Sequence, residues 1–495
     1  MNLLKKQGFY NSITLYAGTA LGFFNLIILF QRVLTAEEIG FFGLISSVSL
    51  LYAQLAGVGF SSAITRYFPF FRSDDRIHGG FPTYVFKVTA IGFAAVSFFF
   101  IVGKPLVQHW QENNNGSSLF YQYYYLIIPV ALFSLWYNLS ETFARTTFHN
   151  IYPAFLREVL LKVLTSLSVI LIFYKAINYQ LFVYFYVAAN GIILFLLLIY
   201  LKKLDLIRFK SIGKEVNKKS PEIIKYGIYS MLAGGSFAFI QNIDTIMLKL
   251  FSSEAMVGYY VTFFGMALVI NLPAKALNTT SYQIIADAWK ENDLKKIQKI
   301  YHKTSLVQFF VGCLLLIGLI ANWQNVLFLL HKPEYADYYG VFVIVGLGFL
   351  FDITGGLNSA IISFSKNYKI IMYILVIAAL FCAISNIILI PKIGMMGAAI
   401  SYSLTMLLLN FTYWFFLLKK HGLQPFNLQF MKLMVLAVMV LVIGYYIPYI
   451  KNFFFDVIIR SGIMALLYVG ISYVLKISLD INEFVNQILR KLKIS

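Results

Sequence analysis

Long apolar runs broken by short polar segments recur along the whole chain. They lie near residues 10–34, 39–60, 82–103, 119–140, 154–174, 181–201, 223–250, 255–280, 304–322, 340–362, 369–390, 395–418, 430–450 and 456–476. Each matches the roughly 20 apolar residues that a helix needs to cross a bilayer. All are too long and too uniformly apolar for the alternating strands of about ten residues that build a membrane barrel. The pattern predicts an all-α polytopic membrane protein with about 14 transmembrane helices.

Composition narrows this further. Of the 495 residues 60% are hydrophobic and 12% charged, about half the charge of a soluble domain. Such a chain cannot cover a water-facing surface of its size. That excludes a soluble enzyme, a disordered protein and a secreted disulfide scaffold. Its two cysteines, Cys313 and Cys382, both fall in apolar runs and offer neither zinc spacing nor a disulfide framework. The net charge of +19 sits between apolar runs, so nucleic acid is not an expected partner. With the N-terminus set in the cytoplasm and loops assigned alternately, about thirty of the 40 Lys and Arg residues collect on that side. A miscounted helix near the middle would scramble this bias. It predicts that both termini are cytoplasmic and that the first apolar run is a retained helix, not a cleaved signal. Trp323, Tyr338, Tyr339, Tyr445, Tyr446 and Tyr449 fall at outer helix ends, as in an aromatic belt.

Two basic, Pro-containing breaks organise the helices. The predicted division is an N-lobe of helices 1–6 over residues 1–202, a basic cytoplasmic linker at 203–222, and a C-lobe of helices 7–12 over 223–420. Helices 13 and 14 follow over 421–476, then an amphipathic cytoplasmic tail at 477–495 with apolar positions Ile481, Phe484, Val485, Ile488 and Leu492. A short internal repeat supports six plus six. Arg32, Thr35, Glu38, Gly40, Phe41 and Phe42 precede helix 2, and Lys249, Ser252, Glu254, Gly258, Tyr259 and Tyr260 precede helix 8. In the first copy Thr35 and Glu38 have capping-box spacing.

Polar groups at membrane depth are costly and face a cavity or another helix. Helix 1 aligns Thr14, Gly18, Asn25 and Arg32 on one face; helix 2 carries Gln54; helix 4 carries Asn138, Glu141 and Arg145; helix 5 carries Glu158 and Lys162. Helix 7 carries Gln241 and Asp244, helix 8 Asn271 and Lys275, and helix 10 Asp352. Helices 13 and 14 carry almost none and read as lipid-facing or peripheral. Two roles fit the stripes: a hydrated, partly cationic cavity between two lobes, or hydrogen bonds that hold helices together. Glu141 stands one turn before Arg145, and Glu158 one turn before Lys162, so either cation could be spent on a local pair. Lys275 has no acid one turn away. Asp244 could pair with Lys275 or Lys249. Asp352 sits beside Gly355-Gly356, which suits a flexing helix or tight packing. Pro129 and Pro273 should kink helices 4 and 8. No catalytic motif, metal-ligand spacing or nucleotide-binding lysine loop occurs, so neither an enzyme nor a resident cofactor or metal is expected.

Several segments together carry a resemblance. They are Leu34-Thr35-Ala36-Glu37-Glu38-Ile39-Gly40, Gly57-Val58-Gly59-Phe60 through Arg66-Tyr67-Phe68-Pro69, Asn242-Ile243-Asp244-Thr245-Ile246-Met247-Leu248 leading to Val257-Gly258-Tyr259-Tyr260, and Ile393-Gly394-Met395-Met396-Gly397-Ala398-Ala399-Ile400. In these the chain resembles the polysaccharide-type flippases of the multidrug/oligosaccharidyl-lipid/polysaccharide (MOP) exporter superfamily. The resemblance implies alternating access by two six-helix lobes in a bacterial cytoplasmic membrane. It implies as cargo an undecaprenyl-pyrophosphate-linked oligosaccharide for O-antigen, capsule or exopolysaccharide. Expected partners are the bilayer, that cargo, and the glycan polymerase or glycosyltransferases of the same pathway. Fixed cations suit a pyrophosphate in a low-dielectric interior; the candidates are Arg32, Arg66, Arg145, Lys162, Lys249 and Lys275. Thr14, Asn25, Gln54, Asn138, Gln241 and Asn271 are candidate polar lining, and Asp244 and Asp352 are candidates for H+ or Na+ coupling. Rival readings are a cation-coupled drug exporter or the peptidoglycan-precursor flippase of the same superfamily, a membrane glycan polymerase or ligase, and a scaffold without transport.

Overall fold

The computed structural model describes residues 3–73, 77–112 and 118–491. All regular structure among them is helical. Thirteen helices are long and apolar enough to span a membrane. The one expected span missing from that set, the fifth, is helical from residue 151 to 173, but Arg157, Glu158 and Lys162 break its apolar character. Each of the expected windows is thus a helix.

Local chemistry sets the helix boundaries. The Thr35–Glu38 capping box forms as expected: Glu38 N donates to Thr35 Oγ1 at 3.2 Å, and Thr35 N donates to Glu38 Oε2 at 2.8 Å, which satisfies donors that a helix start leaves open. The helix Ala36–Ala56 ends at Gly57, and Gly59 at φ +69° turns the chain into Phe60–Phe71. Pro129 and Pro273 do interrupt their spans, by starting new helices. Pro129 is in the first turn of Ile127–Thr146, after a 3-10 turn at Tyr124–Leu126, and Pro273 is the second residue of Leu272–Lys290, after a 3-10 turn at Leu268–Asn271. A first-turn proline loses no helical hydrogen bond. The seventh helix starts at Lys214, well before its apolar window. Val216 and Ile223 of this polar extension are buried against Phe81 and Tyr84. The tail helix spans Leu479–Lys491. Its Asp480 pairs with Lys303 at 2.6 Å, and Ile481 is buried. The side chains of Phe484, Ile488 and Leu492 lie outside the described residues.

The chain packs as two compact units, Met1–Thr262 with Ile390–Gly394, and Phe263–Leu389 with Met395–Ser495. In the first unit the two copies of the internal repeat meet. Gly40 packs on the Glu254 carbonyl and Gly258 on the Ala36 carbonyl. Ala36 and Glu254 each lie one turn before the glycine of their own copy, so the contact is reciprocal, with the local two-fold character of an isologous interface.

The second unit holds a buried ion pair that the sequence reading missed by taking the last two spans as nearly apolar. Arg460 Nε and Nη2 donate to Asp456 Oδ2 and Oδ1, each at 3.0 Å. Its remaining donors reach the carbonyls of Gly444 (3.0 Å), Ile447 (3.1 Å) and Pro448 (3.3 Å). All five N–H groups are therefore used, and they satisfy carbonyls that the end of the helix Leu428–Tyr446 leaves open. The two side chains are 7% and 0% exposed. Arg460→Ala is expected to cost about 3–5 kcal/mol, because Asp456 stays buried without its partner. Arg460→Lys should recover little, since an ammonium has three donors and no fork. Thermal unfolding of the purified variants measures both.

Candidate functional site

Two helices of the first unit carry π-helical turns, Phe24–Leu29 and Leu156–Leu160. A π-turn inserts a residue, re-aims the side chains after it and often marks a functional site. The first turn holds Asn25; the second holds Arg157 and Glu158. Gly18 lets the helices approach so closely that a Cβ there would overlap the Glu158 backbone. Asn25 is buried, donates to the Lys162 carbonyl at 3.0 Å and accepts from Ser166 at 2.6 Å. Lys162 Nζ donates to the Gly18 carbonyl at 2.9 Å and pairs with Glu158 at 3.0 Å. Asn25 and Lys162 therefore join helices. Thr14 donates to the Tyr10 carbonyl of its own helix at 2.9 Å.

Beside this junction lies a cavity of about 240 Å3 whose polar lining includes Ser46, Ser134, Asn138, Arg157, Tyr186 and Asn190. Arg157 dominates it. Its Nη2 pairs with Glu141 at 2.6 Å and donates to Asn138 Oδ1, and its guanidinium stacks 4.7 Å from the Tyr137 ring centroid. Tyr137 is fixed in turn by donating to the Pro153 carbonyl at 2.5 Å. Both polar bonds of Arg157 use Nη2, while Nε and Nη1 make none among the described residues. Arg460 has every donor occupied; Arg157 is held in place with three N–H groups to spare. Sequence reasoning did not single out Arg157 and left Arg145 open between a local pair with Glu141 and the cavity. In the structure Arg157, within the π-turn, takes the carboxylate, and Arg145 is exposed. A straight-helix wheel cannot show that exchange.

The other candidates take varied places. Arg32 is exposed, and Arg66 is exposed with its guanidinium 4.4 Å from the Tyr226 ring centroid. Gln54 is half-buried against Gly235, and Gln241 is half-buried. Lys249 is buried and pairs with Glu254 at 3.0 Å; Glu254 also accepts from Ser118 Oγ and from Phe120 N at 3.1 Å. Asp244 is buried and accepts from Tyr260 Oη at 2.8 Å. In the second unit, Asp352 accepts from Asn271 Nδ2 at 3.1 Å and interacts with Asn410 and the charge of Lys275. Asn410 accepts from Asn358 at 2.8 Å, and Gly355 leaves the space that this amide pair fills. Asn271, Lys275 and Asp352 are thus brought together as one acid, one base and amides. The helix break beside Asp352 serves tight packing.

No family model matches the chain. Over 181 residues it is 25% identical to the capsular polysaccharide biosynthesis protein CapF of Staphylococcus aureus, a match that covers 35% of this chain and 44% of that protein. Over 474 residues it is 23% identical to an uncharacterized membrane protein of Methanocaldococcus jannaschii, covering 90% of each. Among solved structures it is similar to the lipid II flippase MurJ in an inward closed conformation, with a TM-score of 0.77, 17% identity, and coverage of 94% of this chain and 98% of that one. It is also similar to an inward-facing multidrug resistance MATE family transporter of the MOP superfamily, with a TM-score of 0.62, 15% identity, and coverage of 80% and 93%. This chain is a multi-pass membrane protein with the fold of the transporters of the MOP superfamily.

Proposed function

We propose that the protein is a flippase that moves an undecaprenyl-pyrophosphate-linked oligosaccharide from the cytoplasmic to the outer leaflet of a bacterial inner membrane by alternating access, for surface polysaccharide synthesis. The observation that carries this reading is Arg157, a guanidinium with free donors in a cavity that it shares with Asn138, Ser134, Tyr186 and Asn190. Three free N–H groups suit phosphate oxygens or sugar hydroxyls. The cavity is just under the roughly 300–1,000 Å3 of ordinary ligand pockets. It has room for one phosphate or one sugar ring, so it serves as a subsite for a larger cargo. The partial match to a capsular polysaccharide protein supports the same cargo class. In this reading both termini are cytoplasmic, and the six-plus-six-plus-two order of the chain supplies the moving lobes.

Deleting the gene is expected to make lipid-linked glycan accumulate on the cytoplasmic leaflet and surface glycan fall. Asp352, with Asn271 and Asn410, favours a second reading, a cation-coupled drug exporter. Its signature is an unchanged glycan pool with altered dye efflux. Within the flippase reading the same carboxylate, or Asp244, is the place for H+ or Na+ coupling.

A further inference from the structure

The second unit has a basic pocket of about 680 Å3, remote in sequence from the polar stripes. It lies between the start of the helix Leu294–Ala321 and the segment that follows the helix Met395–His421. Lys295, Lys299 and His421 line it. Lys295 and Lys299 are one turn apart on one helix face and both exposed, an arrangement that repels itself unless an anion is present. The nearby acids are already used. Glu291 pairs with Lys296 at 3.3 Å, Asp480 pairs with Lys303 at 2.6 Å, and Asp293 accepts from Lys296 N at 2.9 Å as the helix cap. The walls are fixed. Gln298 bonds reciprocally to the backbone of Gln424, at 2.6 and 3.0 Å, and His302 bonds the Pro425 carbonyl at 2.5 Å. His421 Nε2 is buried and has no hydrogen-bond partner among the described residues. The pocket thus presents two unneutralised ammonium groups on a frame fixed by these hydrogen bonds.

We infer that this pocket binds the phosphate of an anionic lipid headgroup. Both flanking segments belong to the basic side of the chain, and exposed Lys419 and Lys420 extend the positive surface. Basic residues at a membrane surface attract anionic lipids, and an open depression with two lysines one turn apart on its rim gives one headgroup phosphate two cations at once. The inference rests on the chain crossing a membrane and does not depend on what it transports.

The same chemistry would accept free phosphate, so the test has three arms. Purified full-length protein in neutral detergent is titrated with dihexanoyl-phosphatidylglycerol, dihexanoyl-phosphatidylcholine or inorganic phosphate, and its melting temperature is followed. Phosphatidylglycerol should raise it and phosphatidylcholine should not. In Lys295→Gln/Lys299→Gln the apparent affinity should fall about thirtyfold, with the loss smaller at high salt. The double variant changes only exposed side chains, so its melting temperature without ligand should match the parent. A response to phosphatidylglycerol alone assigns the lipid. An equal response to inorganic phosphate, lost in the same variant, assigns a free-anion site and overturns the lipid. Equal response to both lipids, or an unchanged response in the double variant, overturns the site itself.

Discussion

Gly40→Ala and Gly258→Ala are each expected to prevent accumulation of folded protein. A Cβ at Gly40 would overlap the Glu254 carbonyl oxygen and sit 2.9 Å from the Gly258 nitrogen; one at Gly258 would overlap the Ala36 carbonyl oxygen and sit 3.1 Å from the Gly40 nitrogen. The obstacle is backbone in both cases, so no rotamer change relieves it. The helices would have to separate along their whole contact, which also carries Gly43 against Val261. Membrane helices gain their cohesion from such close approach, because lipid offers the same apolar surroundings as a neighbouring helix. Overpacking a tight contact costs about 1–3 kcal/mol where side chains can yield, and a backbone obstacle belongs at or above that limit. Gly462→Ala and Gly470→Ala, with nothing within 4 Å of the added carbon, should stay within about 0.5 kcal/mol of the parent. Yield and melting temperature of purified protein decide it. A Gly40→Ala protein as stable as Gly462→Ala would mean that the crossing is not the one the chain adopts.

That contact also shows what the sequence made legible. The internal repeat was visible as a short match of one cation, one acid, a glycine and two aromatics. The structure gives it a physical reason: each glycine exists to receive the other copy's carbonyl. The helices were legible because about twenty apolar residues in a row have few alternatives in a bilayer. Even the exception was informative, since of the three charges that break the apolar character of the fifth span, Arg157 lines the cavity and Glu158 and Lys162 form the junction beside it. Side-chain partnerships were legible only within one turn, as for Thr35 with Glu38 and Glu158 with Lys162; those between helices were not. Glu141 and Arg145 sit one turn apart and could meet on a regular helix, yet Arg157, in the π-turn of a neighbouring helix, takes that carboxylate. Arg460 lies in a span that read as almost free of polar groups and is the most fully bonded guanidinium described. Lys249, a candidate for binding cargo, is instead used by Glu254, whose carboxylate also bonds Ser118 and Phe120. Pairings of this kind depend on helix rotation and local winding, which the apolar period does not encode.

Arg157→Gln is expected to reduce surface glycan about tenfold or more while leaving protein level and melting temperature close to the parent. Hydrogen bonds to a charged group are worth about 1.5–3 kcal/mol each, so losing a single bond to the cargo already gives at least a tenfold change. Glutamine keeps a donor for Glu141 and Asn138, which limits the structural damage; the pair is also partly solvated, at 36% and 25% exposure, so little stability rests on it. Arg157→Lys keeps the charge but not the fork, and should fall between parent and glutamine. Arg145→Ala removes an exposed arginine near the other end of the same expected pair and should behave like the parent. The order parent and Arg145→Ala, then Arg157→Lys, then Arg157→Gln distinguishes a binding guanidinium from general loss of positive charge. Equal defects in Arg145→Ala and Arg157→Gln would return the effect to net charge. Full transport in Arg157→Gln would remove the cavity from the translocation path, because no other group lining it carries a formal positive charge among the described residues.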